Sequence, residues 1–328
     1  ATPERHPGRG EHVHVGSWSV AGAQPLSLRH LAAGAACIAA NFGCRPTFAL
    51  SALLCFPIFW PQITSLLQGL KSRSLPPRRA LRAPAAVIIP ALIVVLPLMA
   101  YNVARFGSPL DFGNDYQMTV TDMTRFVQPT ANFLPSVGAY LFLPLRFTSE
   151  FPFIGMTPIA FREWGYYEPM AGGLFTTCPL LLLALAAPFL RRRMHRSGYW
   201  GLATCSLALA MLLAVFDSHT AGLGWRYICD FGWMMAIAAL APMLYLMHPG
   251  GGDAIAAGAP DPSERHEPRR DVTKRHPMAL ACVRGLVAAV LMASIILAVL
   301  ACFIPGRDDS LINNNPVLYD TVVAWFRL

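Results

Sequence analysis

The stretch NFGCRPTFAL (41–50) places one arginine, Arg45, between two apolar runs. Pro46 follows it directly, and a helix accepts proline in its first turn. An arginine beside a helix N-terminus combines a charged fork with backbone N–H groups that lack intrahelical partners, and together they suit a phosphate. The alternative is an arginine that snorkels to a membrane interface, and physical argument alone favours that alternative.

A second cluster lies in YNVARFGSPLDFGNDYQ (101–117), where another apolar run ends. The GSP and GN sequences within it are typical of tight turns. These turns predict that Arg105, Asp111 and Asp115 lie near one another, either as a site or as ordinary surface ion pairs. The supporting candidates in this stretch are Tyr101 and Asn102.

The third cluster, GLGWRYICDFGWMM (222–235), contains Arg226 and Asp230, whose four-residue spacing predicts one shared helix face. A charge at or just inside a membrane is costly enough to suggest a function. An interhelical ion pair that locks a helix bundle is the other interpretation, and both stay open. Tyr227 is a supporting candidate among aromatic residues that are typical of a membrane interface.

Carboxylates and aromatic side chains are mixed in FREWGYYEPM (161–170). This combination suits sugar binding, although anchoring at a membrane interface would account for it equally well. We therefore treat Glu163, Trp164 and Glu168 as a candidate acceptor loop. No nucleotide-binding, serine-hydrolase or zinc-protease motif is present, and no metal site is predicted. No cofactor is predicted either, and a divalent metal requirement is left open.

The composition decides the class of protein in which these clusters lie. Of the 328 residues, 55% are hydrophobic and only 13% are charged, whereas soluble domains carry about a quarter of charged residues. Uncharged runs such as GLVAAVLMASIILAVLACFI (285–304) reach the roughly 20 residues that cross a bilayer. The expected fold class is all-α, a polytopic transmembrane helix bundle of about seven spans. The predicted spans are 26–44, 47–67, 83–104, 172–190, 199–216, 225–247 and 285–304.

The distribution of basic residues predicts the orientation of the chain. With the N-terminus in the cytoplasm and the C-terminus external, 18 of the 26 Lys and Arg residues lie on the cytoplasmic side. The net charge of +8 is then explained by anionic lipid at the inner leaflet, and nucleic acid is not expected as a partner. Membrane lipids are therefore expected partners.

One apolar stretch is too short to be counted as a span. NFLPSVGAYLFLPL (132–145) reaches only about 21 Å as a helix, short of the roughly 30 Å hydrocarbon core. We interpret it as a re-entrant or surface helix within one large external loop. The expected organisation is a disordered cytoplasmic tail (1–25), membrane helices (26–104), the external loop (105–171), membrane helices (172–247), a disordered cytoplasmic linker (248–277), a last membrane helix (278–304) and an external tail (305–328).

Three quoted stretches resemble a known family. AGAACIAANFGCRPTFALSALLCF, YNVARFGSPLDFG and GWRYICDF are similar to the helix, external-loop and late-helix signatures of GT-C glycosyltransferases, over roughly positions 30 to 247. The resemblance implies a polytopic enzyme of the bacterial inner (cytoplasmic) membrane. It would transfer a hexosyl or pentosyl unit from a polyprenyl-phosphate-linked sugar to an extracytoplasmic glycan or lipid. By the same resemblance, Arg45 contacts the lipid phosphate, with Arg105 and Arg226 as further donor-binding candidates.

The chain departs from that family in one respect. The family's catalytic acid lies in an external loop between its first two helices, upstream of the basic residue, and no such loop precedes Arg45 here. We therefore expect the chain to be the C-terminal part of a longer enzyme and leave its catalytic residue unassigned. The alternative functions are a membrane transporter or lipid flippase and a non-catalytic membrane scaffold. Against a transporter, the charged residues lie near the ends of spans and no internal repeat is visible.

Overall fold

The structure is a computed structural model that describes residues 17–18, 26–113, 116, 127–191, 199–247, 277–306 and 310–326. It is mostly helical. The chain divides into two compact units, Ala1–Gly113 and Asn114–Leu328, and each is described by itself. The predicted linker lies almost entirely outside the described residues, as does most of the predicted N-terminal tail.

The first unit contains four α-helices and one 3₁₀ helix among its described residues. In chain order the elements are β1 (Ser17–Trp18), β2 (Leu26–Ser27), α1 (Leu28–Cys44), a 3₁₀ helix (Pro46–Leu54), α2 (Cys55–Lys71), α3 (Pro77–Ala80) and α4 (Arg82–Phe106). The two strands pair antiparallel, so two residues of the predicted tail lie beside the two residues that precede α1.

Helices α1 and α4 pack against each other along their lengths. A Cβ at Gly43 would lie 2.8 Å from a methyl carbon of Leu98, so glycine leaves room for the leucine side chain between the two helices. The large side chains Ile88, Ile89 and Ile93 of α4 are exposed. Isoleucines exposed along a helix of 25 residues are the surface that lipid would cover.

The second unit contains the remaining helices. Its elements are α5 (Thr130–Phe142), β3 (Arg146–Phe147), β4 (Ile154–Gly155), α6 (Leu174–Thr177), 3₁₀ helices (Pro179–Ala186 and Pro188–Leu190), α7 (Tyr199–Thr220), a 3₁₀ turn (Trp225–Tyr227), α8 (Ile228–Met247), α9 (Pro277–Ala301), α10 (Leu311–Asn314) and α11 (Pro316–Phe326). Strands β3 and β4 form an antiparallel hairpin. Helix α8 lies at the centre and packs against α7, α9 and the Pro179–Ala186 helix.

The predicted span 172–190 is broken in the structure. Pro179 and Pro188 each begin a new 3₁₀ segment, because proline has no N–H to continue the helix before it. The backbone N–H of Leu180 donates to the hydroxyl of Ser294 in α9 at 3.0 Å. A serine from a neighbouring helix thus satisfies a backbone group that the break would otherwise leave unpaired in an apolar setting.

Five described segments are long and apolar enough to cross a membrane, which indicates a membrane protein, but the predicted count of seven is not confirmed. The broken segment is one difference. Helix α1 is the other, since its 17 residues rise only about 26 Å. The five segments are Pro46–Lys71, Arg82–Phe106, Tyr199–Thr220, Trp225–Met247 and Ala281–Ala301.

Two parts of the second unit bear on the predicted loop and tail. Helix α5 covers Thr130–Phe142, close to the short helix expected at 132–145, and its position relative to a membrane stays a prediction. The predicted external tail 305–328 contains α10 and α11, which the sequence analysis did not anticipate.

Four native cysteines allow the predicted orientation to be measured. Cys44, Cys229, Cys282 and Cys302 are exposed free thiols. We expect an impermeant maleimide added to intact cells to label single-cysteine variants retaining Cys44, Cys229 or Cys302. The variant retaining Cys282 should react only after permeabilisation. A pattern that separates Cys44 from Cys229 would contradict the expectation that Arg45 and Arg226 share one side of the membrane.

Candidate functional site

A short parallel contact joins the loop before α6 to the connection between α7 and α8. Tyr167 and Leu223 form an isolated parallel β-bridge. The Glu168 N–H donates to the Leu223 carbonyl at 2.7 Å, and the Leu223 N–H donates to the Tyr166 carbonyl at 3.0 Å. Backbone hydrogen bonds therefore hold two segments, more than fifty residues apart in sequence, side by side.

Tyr140 of α5 holds the connection between α7 and α8 in place through two hydrogen bonds. Its hydroxyl donates to the Gly222 carbonyl and accepts from the Gly224 N–H, each at 3.0 Å. Its ring is fully buried and lies edge-on to Phe231 at 5.4 Å. Burial raises the pKa of the Tyr140 phenol, so the hydroxyl stays protonated and keeps both roles.

Gly222 is required by this geometry. Its φ of +81° lies in the left-handed region that side chains disfavour. A Cβ there would also lie 2.5 Å from the Tyr166 carbonyl oxygen. The GLG sequence thus permits the close approach of the two backbones.

These contacts bring together a charged group that we call the Arg226–Glu168 cluster: Tyr166, Glu168, Arg226 and Tyr227. Arg226 Nε lies 3.1 Å from Glu168 Oε1, and the Tyr166 hydroxyl donates to the same oxygen at 2.9 Å. Arg226 also donates to the Tyr166 hydroxyl at 3.3 Å, and its guanidinium lies 5.2 Å from the ring centroid of Tyr227. The cluster lies where the apolar segment Trp225–Met247 begins.

The exposure of the cluster is uneven. The Arg226 side chain is 62% exposed and that of Glu168 is 26% exposed. Burial, followed by the hydrogen bond to Glu168 and its negative charge, raises the pKa of Tyr166 to about 12. Tyr166 is therefore a neutral donor at physiological pH. The result is an accessible cation held beside a partly shielded carboxylate, an arrangement that can bind an anion and accept a proton.

Asp230 does not share the environment of Arg226, although a regular helix would place them on one face. The residue is only 2% exposed, in the first turn of α8. Residues Trp225–Tyr227 form a 3₁₀ turn and α8 starts at Ile228, so the four-residue spacing crosses a change of helix type. Arg226 turns instead to Glu168.

Glu163 and Trp164 lie in the same loop as Glu168. The Asn132 side chain donates to the Glu163 carbonyl at 2.8 Å and accepts from the Glu163 N–H at 3.3 Å, so α5 anchors the loop backbone. The side chains of both Glu163 and Trp164 are exposed. They are accessible to a ligand but are not among the four residues that define the Arg226–Glu168 cluster.

In the first unit, Arg45 lies between α1 and the 3₁₀ helix that Pro46 begins. Its backbone is extended, its N–H donates to the Asn41 carbonyl and its carbonyl accepts from the Phe48 N–H, each at 3.0 Å. The residue is half-buried. Arg45 therefore occupies a helix junction, with a 3₁₀ helix rather than a regular α-helix following it.

In the turn after α4, two of the side chains that the sequence was expected to bring together each have a local partner. Arg105 donates to the Tyr101 hydroxyl at 2.8 Å and lies over the Phe106 ring at 5.0 Å. Asp111 accepts from the Gly113 N–H at 2.7 Å and so closes its own turn. Buried Asn102 donates to the Pro109 carbonyl at 3.3 Å, which ties the turn to the helix. Asp115 lies outside the described residues.

Sequence reasoning missed Tyr140 and Tyr166 as site residues. Tyr140 lies in an apolar stretch and has no charged neighbour in sequence, so nothing local distinguishes it from a core residue. The GLG sequence at 222–224 was a usable signal, because paired glycines flanking one residue often permit close backbone approach.

No group of three or more His, Cys, Asp or Glu side chains that could hold a metal ion occurs in the described part of the chain. Comparison of the chain with protein-family models, with curated proteins and with solved structures gives no match.

Proposed function

We propose that the protein is a membrane glycosyltransferase that transfers a sugar from a polyprenyl-phosphate donor to an extracytoplasmic glycan or lipid acceptor. The observation that supports it is the Arg226–Glu168 cluster, with its exposed guanidinium 3.1 Å from a carboxylate where a membrane-length helix begins. In a lipid-linked sugar, the polyprenyl chain stays in the bilayer and the phosphate lies at the membrane surface, where a membrane-spanning helix also begins. The sequence resemblance to GT-C glycosyltransferases supports the same class of reaction.

The proposed chemistry needs one cation and one base. Arg226 binds the phosphate that leaves and stabilises the charge that develops on it. Glu168 takes the proton from the acceptor hydroxyl while the oxygen of that hydroxyl forms a bond to the anomeric carbon of the sugar. The bond between that carbon and the phosphate oxygen breaks, and polyprenyl phosphate departs with the electron pair. Bound phosphate competes with Glu168 for Arg226, which releases the carboxylate to act.

The remaining candidates have supporting roles in this proposal. Tyr166, neutral at physiological pH, donates a hydrogen bond that orients Glu168, and Tyr227 lies against the guanidinium. Glu163 and Trp164 bind the acceptor from the exposed part of the same loop. For Arg45 and Arg105 of the first unit, a phosphate contact stays a prediction of the sequence resemblance, and the proposed role of Arg226 does not depend on it.

Binding of the bare lipid phosphate tests the proposal without knowledge of the sugar. Arg226→Ala should weaken binding of a polyprenyl phosphate in detergent micelles about tenfold or more, because a charge-assisted hydrogen bond is lost. The matched control is Arg146→Ala, which removes another exposed arginine of the second unit, in strand β3. The measurement is a titration of intrinsic fluorescence or heat with purified protein.

If the wild type and Arg226→Ala bind polyprenyl phosphate with equal affinity, the phosphate does not bind at the Arg226–Glu168 cluster. The cluster would then be a structural ion pair, as the scaffold hypothesis requires. Transport of a labelled lipid phosphate across proteoliposomes with no sugar released would favour the flippase hypothesis instead.

A further inference from the structure

The C-terminal helix α11 is nearly free of charge and follows a membrane-length helix closely. Its sequence PVLYDTVVAWF contains one charged residue, Asp320. The chain leaves α9 at Ala301 and enters α11 at Pro316. The Leu311 N–H donates to the Cys302 carbonyl at 3.3 Å, so the connection folds back onto the end of α9.

One face of α11 is docked on the second unit through aromatic rings. Phe326 stacks on Phe151 with ring centroids 4.5 Å apart and an interplanar angle of 8°. Phe151 in turn lies 5.1 Å from Phe303, just beyond the end of α9, and Phe303 lies 6.4 Å from Tyr319. Val323, on this same face, is buried. The β3–β4 hairpin and the end of α9 therefore hold α11 in place.

About 120° around the helix from this docked face, large apolar side chains lie without cover. Leu318 is 46% exposed and Trp325 is 72% exposed. Seven residues apart, they lie within about 20° of each other around the helix, and Asp320 lies about 140–160° away from both. The helix thus has an apolar stripe on one side and its charge on the other, which is the pattern of a helix that lies in a membrane interface.

We propose that α11 lies flat in the membrane interface, with the Leu318–Trp325 stripe in lipid and Asp320 toward water. Continuity with α9 selects lipid as the occupant, because Ile295, Ile296 and Val299 of that helix are also exposed and α11 begins beside its end. Tryptophan is enriched at this depth of the bilayer. The proposal does not depend on the enzymatic one.

The position of α11 bears on the depth of the Arg226–Glu168 cluster. The hairpin on which α11 docks contributes Ile154 to a small core with Ala171 and Ile304. Trp225, the residue before Arg226, packs against that core. If α11 lies in the interface, it would hold the β3–β4 hairpin at a fixed distance from the lipid. Through the hairpin it would do the same for the Arg226–Glu168 cluster.

Lipid-attached quenchers test the proposal. In a cysteine-free background, Leu318→Cys and Asp320→Cys are labelled with an environment-sensitive fluorophore and placed in nanodiscs whose lipids carry a spin label high on the acyl chain. The fluorophore at position 318 should be quenched several-fold more than the one at position 320. Both sites are exposed, so neither label should disturb the fold.

A label-free measurement provides the second arm. The chain has seven tryptophans, and the difference in brominated-lipid quenching between the wild type and Trp325→Phe isolates one of them. Quenching of Trp325 comparable to that of a lipid-exposed residue supports the proposal. Equal weak quenching at 318 and 320 would overturn it. Emission at position 318 that reports an apolar environment without quenching by the lipid would also overturn it. That result would indicate a protein partner on that face.

Discussion

Glu168→Gln is expected to lower the rate of sugar transfer at least about 100-fold, the loss typical of a missing general base. Glutamine keeps an oxygen that can accept from Arg226 and Tyr166, so the cluster should keep its shape. Its amide cannot take the proton of the acceptor hydroxyl. Binding of polyprenyl phosphate should therefore be kept or strengthened, since a neutral amide competes less for Arg226, while transfer nearly stops. The measurement is the release of polyprenyl phosphate from a labelled polyprenyl-phosphate sugar.

Glu150→Gln is the matched control, because Glu150 is an exposed carboxylate of the same loop. Its transfer rate should equal that of the wild type. Full activity in Glu168→Gln would show that the proton goes elsewhere and leave Glu168 with a structural role. Loss of phosphate binding together with transfer would instead indicate that the variant distorts the position of Arg226. The two outcomes therefore separate the role of the base from that of the phosphate-binding cation.

Gly222→Ala is expected to destabilise the second unit by about 3 kcal/mol or more. The left-handed φ of +81° contributes roughly 1–2 kcal/mol of that cost. The rest comes from a methyl group that would lie 2.5 Å from the Tyr166 carbonyl oxygen, where backbone must move. The melting temperature should fall by about 5 °C or more. Because Gly222 holds the segment before Arg226, phosphate binding should weaken too.

Gly138→Ala supplies the control for this variant. Gly138 lies in α5, and a Cβ there meets nothing within 4 Å. Alanine is favoured over glycine within a helix by up to about 1 kcal/mol, so the melting temperature should stay equal or rise slightly. An unchanged melting temperature in Gly222→Ala would mean that the backbones of 166–168 and 222–224 do not approach as closely as the structure describes.

The membrane class and most of the spans were predictable because they depend on contiguous residues. Length and apolarity alone mark Arg82–Phe106 and Ala281–Ala301, and a helix of that kind needs no knowledge of its neighbours. The candidate positions were likewise visible as charges beside apolar runs. Arg226 and Glu168 were both nominated from such local patterns, although in separate groups.

Tertiary structure decided what those residues contact. Arg226 takes Glu168 as its partner, and not the residue four positions on, because a 3₁₀ turn precedes α8 and a backbone bridge brings the loop alongside. The break at Pro179 survives because Ser294 of another helix satisfies Leu180. Helix α11 is held by the ring of Phe151, which is far from it in sequence, and by the ring of Phe303 beyond the end of α9. The apolarity of a segment can be summed over residues that are neighbours in the sequence. The residue that a side chain contacts, in contrast, is one that only folding brings close to it.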